Sequence, residues 1–187
     1  MAQRIIVGIS GASGIVYGVR ALAMLRDCGV ETHLVITKSA ELTLHHELDM
    51  SLDEIKALAT EVHPIRNVGA SIASGSFRTG GMLIAPCSVR TMAEIATGVT
   101  STLLTRAADV VLKERRRLVL VVRETPLHTG HLRTLTQLSE MGAVIAPPVP
   151  AFYAQPESLD AMVTQTVGRL LDLFDIDSGQ VRRWQGE

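Results

Sequence analysis

The sequence predicts an α/β fold, in which helices cover both faces of a parallel β-sheet, from two observations. Short β-branched runs recur along the chain, as is typical of strands that are buried on both faces. A turn and then a pattern of helical spacing follow several of these runs, and this order predicts βαβ units with parallel strands and right-handed crossovers. Because the alternation continues along the chain, we expect a Rossmann-like three-layer sandwich with a doubly wound parallel sheet.

The first unit begins with a predicted strand at residues 4–8, a short β-branched run that ends in glycine. The turn at residues 10–14 follows. From residue 15 to residue 26 apolar side chains recur at helical spacing, and Cys28-Gly29 ends this helix in the way that a C-terminal glycine commonly does. A second strand is expected at residues 32–36.

The remaining elements continue this order. Three further strands are expected, at residues 82–85, 117–122 and 143–146. Three further helices are expected, one from about residue 89 onward, one over 128–141 and one over 156–174. Pro156 is the expected first-turn residue of the last helix, because proline is favoured there. The proline-rich segment before that helix predicts a rigid bend that presents Phe152 and Tyr153.

Length and composition limit the classes of function. With 187 residues and 47% hydrophobic content, a single domain over residues 1–187 with one sizeable core is expected. The net charge of -1 provides no overall positive field for a nucleic acid or an anionic membrane surface. No apolar stretch approaches the roughly 20 residues that cross a bilayer. The positive mean hydropathy and the aromatic content of only 3% favour an aliphatic interface between subunits, and hence a homo-oligomer.

The cysteines and the start of the chain favour a cytoplasmic location. Cys28 and Cys87 form neither a C-x-x-C pair nor a zinc-type spacing. The first residues resemble a short strand and a turn rather than a secretory signal. We therefore expect reduced thiols in the cytoplasm.

Four polar segments are expected to meet at one edge of the sheet. Each follows a predicted strand, and doubly wound folds bind their ligands beyond the carboxyl ends of the strands. These segments are Gly11 to Gly14, Thr37-Lys38, Pro86 to Thr91 and Arg123-Glu124.

The turn from Gly11 to Gly14 lies between a strand and the start of a helix. Unpaired backbone N–H groups and the helix dipole favour an anion at such a place, and Ser13 adds a hydroxyl donor. A tight turn that requires glycine for its backbone explains the same residues equally well. The spacing differs from G-x-G-x-x-G, which favours a mononucleotide over a dinucleotide as the ligand.

A second turn of this kind runs from Ser88 to Thr91, where two hydroxyls and the cation of Arg90 lie at another helix start. Ordinary capping by Ser88 is the alternative explanation. Two such turns in one sheet favour ligand binding. The polar segment 73–78, which contains Ser74, is interpreted as either a surface loop or a lid.

Charged side chains complete the predicted crevice. Arg106 and Lys113 lie two turns apart on one face of a predicted helix, and Arg123 and Glu124 end a buried strand. Three cations and one carboxylate at the edge of the sheet suit a phosphorylated substrate and a general acid or base. The charged run at residues 114–117 is interpreted as a solvated helix end.

Neither a metal site nor a hydrolase site is predicted. His128 and His131 lie three residues apart, and His45-His46 are adjacent, but no carboxylate spacing beside them matches a known metal site. A G-x-S-x-G turn, which would indicate a serine hydrolase, is missing from the sequence.

Over nearly its whole length the sequence resembles the UbiX-like flavin prenyltransferases, formerly described as aromatic-acid decarboxylase subunits. The matching segments are GISGASG at 8–14, ITKSA at 36–40, SGSF at 74–77, APCSVRTMAEIATG at 85–98, TRAADVVLKERR at 105–116, VRETPLHTGHL at 122–132, PPVPAFYAQPESL at 147–159 and RRWQG at 182–186. The related homo-oligomeric flavin-containing cysteine decarboxylases share the fold but lack the RAADVVLKE and RETPL segments.

This resemblance implies a metal-independent transferase with reduced FMN as its substrate and dimethylallyl phosphate as the prenyl donor. Two bonds would join the donor to the flavin, at the central-ring nitrogen and at the neighbouring benzenoid carbon. The prenylated FMN would serve a UbiD-like decarboxylase, in ubiquinone biosynthesis or in aromatic-acid decarboxylation. The resemblance also implies a dodecamer built of trimers. An FMN-dependent decarboxylase of a small acid and a flavin carrier remain as alternatives.

Site residues follow from the resemblance position by position. The residues that would hold the flavin are Gly11, Ala12, Ser13, Thr37, Ser88, Val89, Arg90, Thr91 and Arg123. Thr37 stands where many members have serine and keeps the hydroxyl. Tyr153 and Arg169 would hold the prenyl phosphate.

Further residues would complete the site. Arg106 and Lys113 would add to the cationic cradle across a subunit boundary, and Ser74 would be a further substrate contact. Glu124 would help to remove the proton after the second bond forms, with Glu47 and Ser13 supporting the phosphate or the proton path. Trp184 would either cover the prenyl pocket or pack as an end-of-chain residue.

Overall fold

The computed structural model describes residues 3–186, in which six strands form one sheet. The strands are β1 (Arg4–Ile9), β2 (Glu31–Ile36), β3 (Glu61–Val62), β4 (Gly81–Cys87), β5 (Arg117–Val122) and β6 (Val144–Ile145). The helices are α1 (Ile15–Asp27), α2 (Lys38–Glu47), α3 (Leu52–Lys56), α4 (Val89–Ala96), α5 (Leu103–Lys113), α6 (Thr129–Glu140) and α7 (Leu159–Asp172). Short 3-10 helices lie at Ser71–Ala73 and Phe152–Ala154.

All pairings in the sheet are parallel, and the strand order is β3-β2-β1-β4-β5-β6. The chain therefore builds outward from β1 to one edge and then, beginning with β4, to the other edge. The order reverses between β1 and β4, which is where doubly wound sheets open a crevice beyond the carboxyl ends of their strands. The predicted fold class is confirmed.

Alternate side chains of β1 enter two separate cores. Val7 packs into the core that α1 and α7 cover, and Ile6 packs into the core that α4 and α5 cover. Leu22 and Leu171 lie in the first core and Leu104 lies in the second, all of them buried. Burial of one such side chain contributes about 1.5–3 kcal/mol. These contacts hold the helices against both faces, and they explain why the strands are apolar almost without interruption.

The last helix begins later than the sequence predicts. Pro156 does not start α7; Ser158 is the N-cap residue, and its hydroxyl accepts a hydrogen bond from the backbone N–H of Ala161 at 3.0 Å. A side-chain acceptor satisfies an otherwise free N–H group of the first turn, so the helix begins at Leu159.

Other differences concern elements that the sequence pattern did not reveal. The helices α2 and α3 and the short strand β3 were not predicted, and the segment from residue 89 contains two helices separated by residues 97–102. The two-residue β6 is shorter than the predicted strand at 143–146. Among residues 3–186, no helix is both long enough and apolar enough to span a bilayer.

Candidate functional site

The carboxyl ends of β1 and β4 are joined by one buried serine. The hydroxyl of Ser10 donates to the carbonyl of Pro86 at 2.9 Å and accepts from the backbone N–H of Ser88 at 2.8 Å. The side chain is fully buried. These two bonds hold the turn after β1 beside the start of α4, at the point where the strand order reverses. Sequence analysis assigned no role to Ser10.

The glycines of the first turn have clear structural reasons. Gly14 has a φ of 99°, a left-handed conformation that other residues rarely adopt. A Cβ atom on Gly11 would lie 2.3 Å from Oγ of Ser39 at the start of α2. The tight-turn explanation therefore applies to Gly14, whereas Gly11 is needed for the close approach of α2. Within residues 3–186, however, the N–H groups of Gly11 and Ser13 make no hydrogen bond, so both can donate to a ligand oxygen.

An internal carboxylate occupies the start of α1. Oε2 of Glu47, the last residue of α2, accepts from the backbone N–H of Gly14 at 2.8 Å and of Ile15 at 3.0 Å. The anion expected at this helix start is thus at least in part a side chain of the protein itself.

The surroundings of Glu47 keep its carboxyl group ionised. Partial burial on its own would raise the pKa of Glu47. The hydroxyl of Ser13, the N–H groups of Gly14 and Ile15 and the positive charge of Arg123 together outweigh burial, and the pKa lies below its usual value of 4.5. Glu47 is therefore an anion at neutral pH, between the first turn and the strand end that carries Arg123.

A cleft of about 480 Å³, which we call the Arg123 cleft, opens beside this turn. Arg123 and Glu124 face it from the end of β5, and Ser13 faces it from the other side. The complete lining is Ser13, Gly14, Tyr17, Val122, Arg123, Glu124, Thr125, Pro147, Pro148 and Val149. One wall is thus the proline-rich segment after β6, and Tyr17 also contributes. Sequence analysis missed Tyr17, although its position three residues after Gly14 in the first turn of α1 was a usable signal.

The Glu124 carboxylate makes a hydrogen bond with the backbone of the next residue, Thr125. Its Oε1 accepts the backbone N–H of Thr125 at 2.9 Å, while the side chain remains exposed. One carboxylate oxygen is thus fixed and the cleft remains open to solvent. This arrangement suits a group that exchanges a proton with a bound substrate.

A second cavity of about 310 Å³, which we call the Ser88 cavity, lies on the α4 and α5 side. It brings together the predicted residues Thr37, Ser88, Arg90 and Thr91, and its lining is rich in hydroxyl groups. The further lining residues are Lys38, Ser39, Ile65, Arg66, Glu94, Ser101, Thr102, Leu104 and Thr105. Most of these come from helix starts whose place in space the sequence pattern did not indicate.

The hydroxyls of this cavity also cap helices. Oγ of Ser88 accepts the N–H of Thr91 at 3.2 Å, and Oγ1 of Thr37 accepts the N–H of Ala40 at 3.1 Å. Arg90 pairs with Glu94 at 2.8 Å. Capping by Ser88 is therefore observed, and the same hydroxyl groups line the cavity. Val89 is partly buried against the α4–α5 core, so its contribution to a ligand site is restricted to its backbone and its exposed edge.

Tyr153 and Trp184 meet at the surface. Their ring centroids lie 5.8 Å apart with the planes at 84°, in an edge-to-face contact. The side chains remain 46% and 66% exposed. The last residues of the chain run along α7, where Gln165 and Arg182 exchange hydrogen bonds of 3.0 and 2.8 Å, and they carry Trp184 to Tyr153. The contact shows that Trp184 packs against Tyr153 at the end of the chain. The exposed parts of both rings remain accessible to a ligand.

Some predicted site residues do not reach the crevice of their own chain. Helix α5 runs antiparallel to the strands, and Lys113, ten residues after Leu103, lies about 15 Å farther along its axis. Lys113 pairs with Glu114, and its Nζ would be 2.8 Å from a Cβ atom on Gly75. It therefore lies beside the segment that contains Ser74, four residues before β5 begins.

For this reason Lys113 does not lie beside Arg123 and Glu124 of its own chain. Arg106 pairs with Asp109 at 2.7 Å and lines neither the Arg123 cleft nor the Ser88 cavity. Arg169, ten residues into α7, contacts Asp172. A contribution of Ser74, Arg106, Lys113 or Arg169 to the crevice of another copy of the chain stays a prediction.

The order of this sheet and the hydroxyl-rich crevice at its switch point are those of a mononucleotide-binding α/β protein. The family described as Flavoprotein matches residues 1–173 of the chain. The flavin prenyltransferase UbiX of Escherichia coli (strain K12) is 59% identical over 187 residues, which cover 98% of this chain and 99% of that protein. The chain belongs to the UbiX family of flavin prenyltransferases.

Two solved structures are similar over essentially the whole chain. A UbiX (PadA1) described in complex with FMN and dimethylallyl pyrophosphate is 49% identical, covers 100% of both chains and superposes with a TM-score of 0.98. A dodecameric FMN-dependent UbiX-like decarboxylase from Escherichia coli O157:H7 is 48% identical, covers 98% of this chain and 100% of its own, and has a TM-score of 0.96.

Proposed function

We propose that this chain transfers a dimethylallyl group from dimethylallyl phosphate to reduced FMN and so makes prenylated FMN. The observation that carries the proposal is the convergence of Ser13, Glu47, Arg123 and Glu124 around the Arg123 cleft, in a chain that superposes on a UbiX bound to FMN and a dimethylallyl pyrophosphate. These groups provide hydrogen-bond donors, a cation and two carboxylates for a reaction that separates charge.

FMN would lie along the carboxyl edge between the two cavities. The free N–H groups of Gly11 and Ser13 and the hydroxyls of the Ser88 cavity are donors for its polar atoms. Arg123 supplies the positive charge that a flavin phosphate or an electron-rich reduced ring favours. The residues assigned to the flavin are Gly11, Ala12, Ser13, Thr37, Ser88, Val89, Arg90, Thr91 and Arg123.

The second substrate would place its phosphate near the Tyr153–Trp184 contact. The hydroxyl of Tyr153 donates to a phosphate oxygen, and the exposed ring of Trp184 offers an apolar wall to the five-carbon group. Arg169, with Ser74, Arg106 and Lys113, is assigned to the same phosphate from a neighbouring copy. The related complex contains a pyrophosphate, so the same cradle in this chain is expected to accommodate either leaving group.

Cleavage of the allylic C–O bond leaves positive charge on the prenyl group and negative charge on phosphate. Fixed cations such as Arg123 and Lys113 stabilise the departing phosphate without a metal ion. When bound, reduced FMN supplies the nitrogen and the carbon that form the two new bonds. The first bond, at the ring nitrogen, would release the N–H proton to the departing phosphate. The remaining prenyl double bond would then take up a proton, so that its tertiary carbon can form the second bond to the ring carbon. The ring carbon would lose its own proton to Glu124, with Glu47 and Ser13 supporting the phosphate or the proton path.

A homo-oligomer, a cytoplasmic location and delivery of the product to a UbiD-like decarboxylase belong to the same proposal. Exposed apolar side chains support an assembly of several copies, among them Leu42, Phe152 and Leu159. The similar protein from Escherichia coli O157:H7 is described as dodecameric. Cys28 and Cys87 are both free thiols, which suits a reducing compartment.

The experiment is an anaerobic incubation with reduced FMN and dimethylallyl phosphate, followed by measurement of the flavin mass. We expect a five-carbon adduct, and its absence while FMN is bound would contradict the proposal. Glu124→Gln should keep FMN binding and slow adduct formation by about 10²–10⁴-fold. Glu140→Gln, which removes an exposed carboxylate at the end of α6, is the matched control and should leave the rate unchanged.

A second candidate function is direct decarboxylation of a small acid, which the name of the similar FMN-dependent decarboxylase favours. It predicts carbon dioxide release by this chain alone with oxidised FMN. A flavin carrier, in contrast, would bind FMN and be indifferent to Glu124→Gln. The same incubations, with carbon dioxide measured in parallel, separate the three functions.

A further inference from the structure

Two buried histidines and a glutamate meet where β2 pairs with β3, away from the carboxyl-edge crevice. His33 and His63 are only 1% and 5% exposed. Nδ1 of His33 lies 2.9 Å from Nε2 of His63 and 3.4 Å from Oε2 of Glu61. In the part of the chain that the structure describes, this is the only group of three or more such side chains with their ligand atoms within 4.8 Å of one another.

A second carboxylate fixes the tautomer of His33. Oε1 of Glu31 lies 3.0 Å from Nε2 of His33, and the other oxygen of Glu31 pairs with Nε of Arg4 at 2.8 Å. A carboxylate accepts but does not donate, so Nε2 of His33 carries the hydrogen and Nδ1 keeps its lone pair. A carboxylate behind a histidine is the usual outer partner of a metal-binding imidazole.

The spacing of the inner atoms suits a tetrahedral zinc ion. With Zn–N and Zn–O bonds of about 2.0–2.1 Å, two ligand atoms of a tetrahedral site lie about 3.3 Å apart. The separation from His33 to Glu61 is 3.4 Å, and the two histidine nitrogens need to separate by only a few tenths of an ångström. The imidazole rings are nearly parallel, at 13°, and their centroids lie 5.2 Å apart, so the two nitrogens face each other in line, as in a hydrogen bond. Both rings must therefore turn before their lone pairs meet at one ion.

The strand pairing holds these residues in register. His33 is the direct partner of Glu61 in the parallel ladder. Thr60, directly before β3, is held against Thr32 of β2, because the backbone N–H of each residue donates to the hydroxyl of the other, at 3.0 and 3.1 Å. The backbones of His33 and Glu61 are therefore held side by side before any ion binds.

We propose that His33, His63 and Glu61 form a site for a divalent cation of the zinc type, with water as the fourth ligand and Glu31 as the outer carboxylate. The site is separate from prenyl transfer. Its effect is structural: it fastens β3, which has only two residues and is exposed, to the edge of the sheet.

The test uses tag-free full-length protein, stripped of metal with a chelator and titrated with Zn²⁺ and with Co²⁺. We expect one ion per chain, a higher Tm with Zn²⁺, and the visible absorption bands of tetrahedral Co²⁺. His63→Ala and Glu61→Gln should lose the Co²⁺ bands. Glu31→Gln should keep the bands but weaken binding about 10- to 100-fold, as removal of an outer carboxylate does.

His128→Asn is the matched control, because it removes an exposed histidine that lies outside the cluster and keeps an acceptor at the start of α6. It should leave the stoichiometry and the affinity unchanged. If the stripped wild-type protein binds neither ion, or binds both equally well after His63→Ala, the cluster is a hydrogen-bonded histidine pair and the proposal is wrong.

Discussion

Glu47 and Gly14 are joined by a hydrogen bond of 2.8 Å from the backbone N–H of Gly14 to the carboxylate, which links the end of α2 to the start of α1. Gly14 is the N-cap residue of α1 and has no side chain to cap the helix. A distant glutamate thus performs the capping that serine or aspartate performs in other helices. The same carboxylate stands at the predicted active site, so its capping role can be tested separately from the role that the proposed function gives it.

Glu47→Gln should lower the free energy of unfolding by about 0.5–1 kcal/mol, because an anion at a helix start contributes about that much when it is partly exposed and screened by water. Urea denaturation of the FMN-free protein measures the change. Asp49→Asn, which removes an exposed carboxylate outside any helix, is the control. An unchanged stability in Glu47→Gln would mean that solvent replaces the carboxylate at no cost.

The pH dependence of stability should carry the same signature. The pKa of Glu47 is lowered in the folded state, so its contribution is fully present above the unfolded-state value of about 4.5 and is lost as the pH falls through the lower folded value. We therefore measure the free energy of unfolding as the pH falls from about 6 through the carboxyl range. The loss of stability should be smaller in Glu47→Gln than in the wild type. Parallel curves for the two proteins would contradict a lowered pKa.

The central strands β1, β2, β4 and β5 could be predicted from the sequence because each contains an apolar run that is buried on both sides. The run at 117–122 coincides with β5. The two-residue β3 could not be predicted, because both of its side chains are exposed and its position depends on pairing with β2. For the same reason the histidine cluster could not be predicted from the sequence pattern.

The residues of the crevice were predictable where they directly follow strands. Ser13, Arg123 and Glu124 meet in one cleft because parallel strands end at one edge. Arg106 and Lys113 were predicted from their charge, their spacing on one helix face and the family resemblance, and helical spacing does not show in which direction a helix runs across the sheet. The antiparallel course of α5 takes Lys113 to the opposite edge.

Arg169→Ala should impair use of the prenyl donor while FMN binding stays nearly intact. The fold should tolerate the change, because Asp172 also makes two hydrogen bonds of 2.9 Å with Arg183. We expect the KM for dimethylallyl phosphate to rise at least about tenfold, as loss of a charge-assisted hydrogen bond of about 1.5–3 kcal/mol implies. An equal loss of FMN affinity would contradict the division of the site into a flavin part and a prenyl-phosphate part.

Trp184→Ala should weaken donor binding more than Trp184→Phe does. Phenylalanine keeps an aromatic edge for the contact with Tyr153, whereas alanine removes the apolar wall. The KM for the donor and the thermal stability are measured for both variants. If both variants lose stability and neither changes KM, Trp184 acts only in packing at the end of the chain.

Two inactive chains should restore activity when they are mixed. Lys113 and Glu124 lie at opposite edges of one chain, so a site that needs both must take Lys113 from a neighbouring copy. Lys113→Ala and Glu124→Gln should each be inactive alone. Co-expressed at equal levels with two different tags and purified over both, they should regain about one quarter of the wild-type rate, since random pairing in a symmetric assembly joins two intact residues in that share of sites. Two Glu124→Gln chains with different tags are the control, and a mixture no more active than this control would place Lys113 outside the active site.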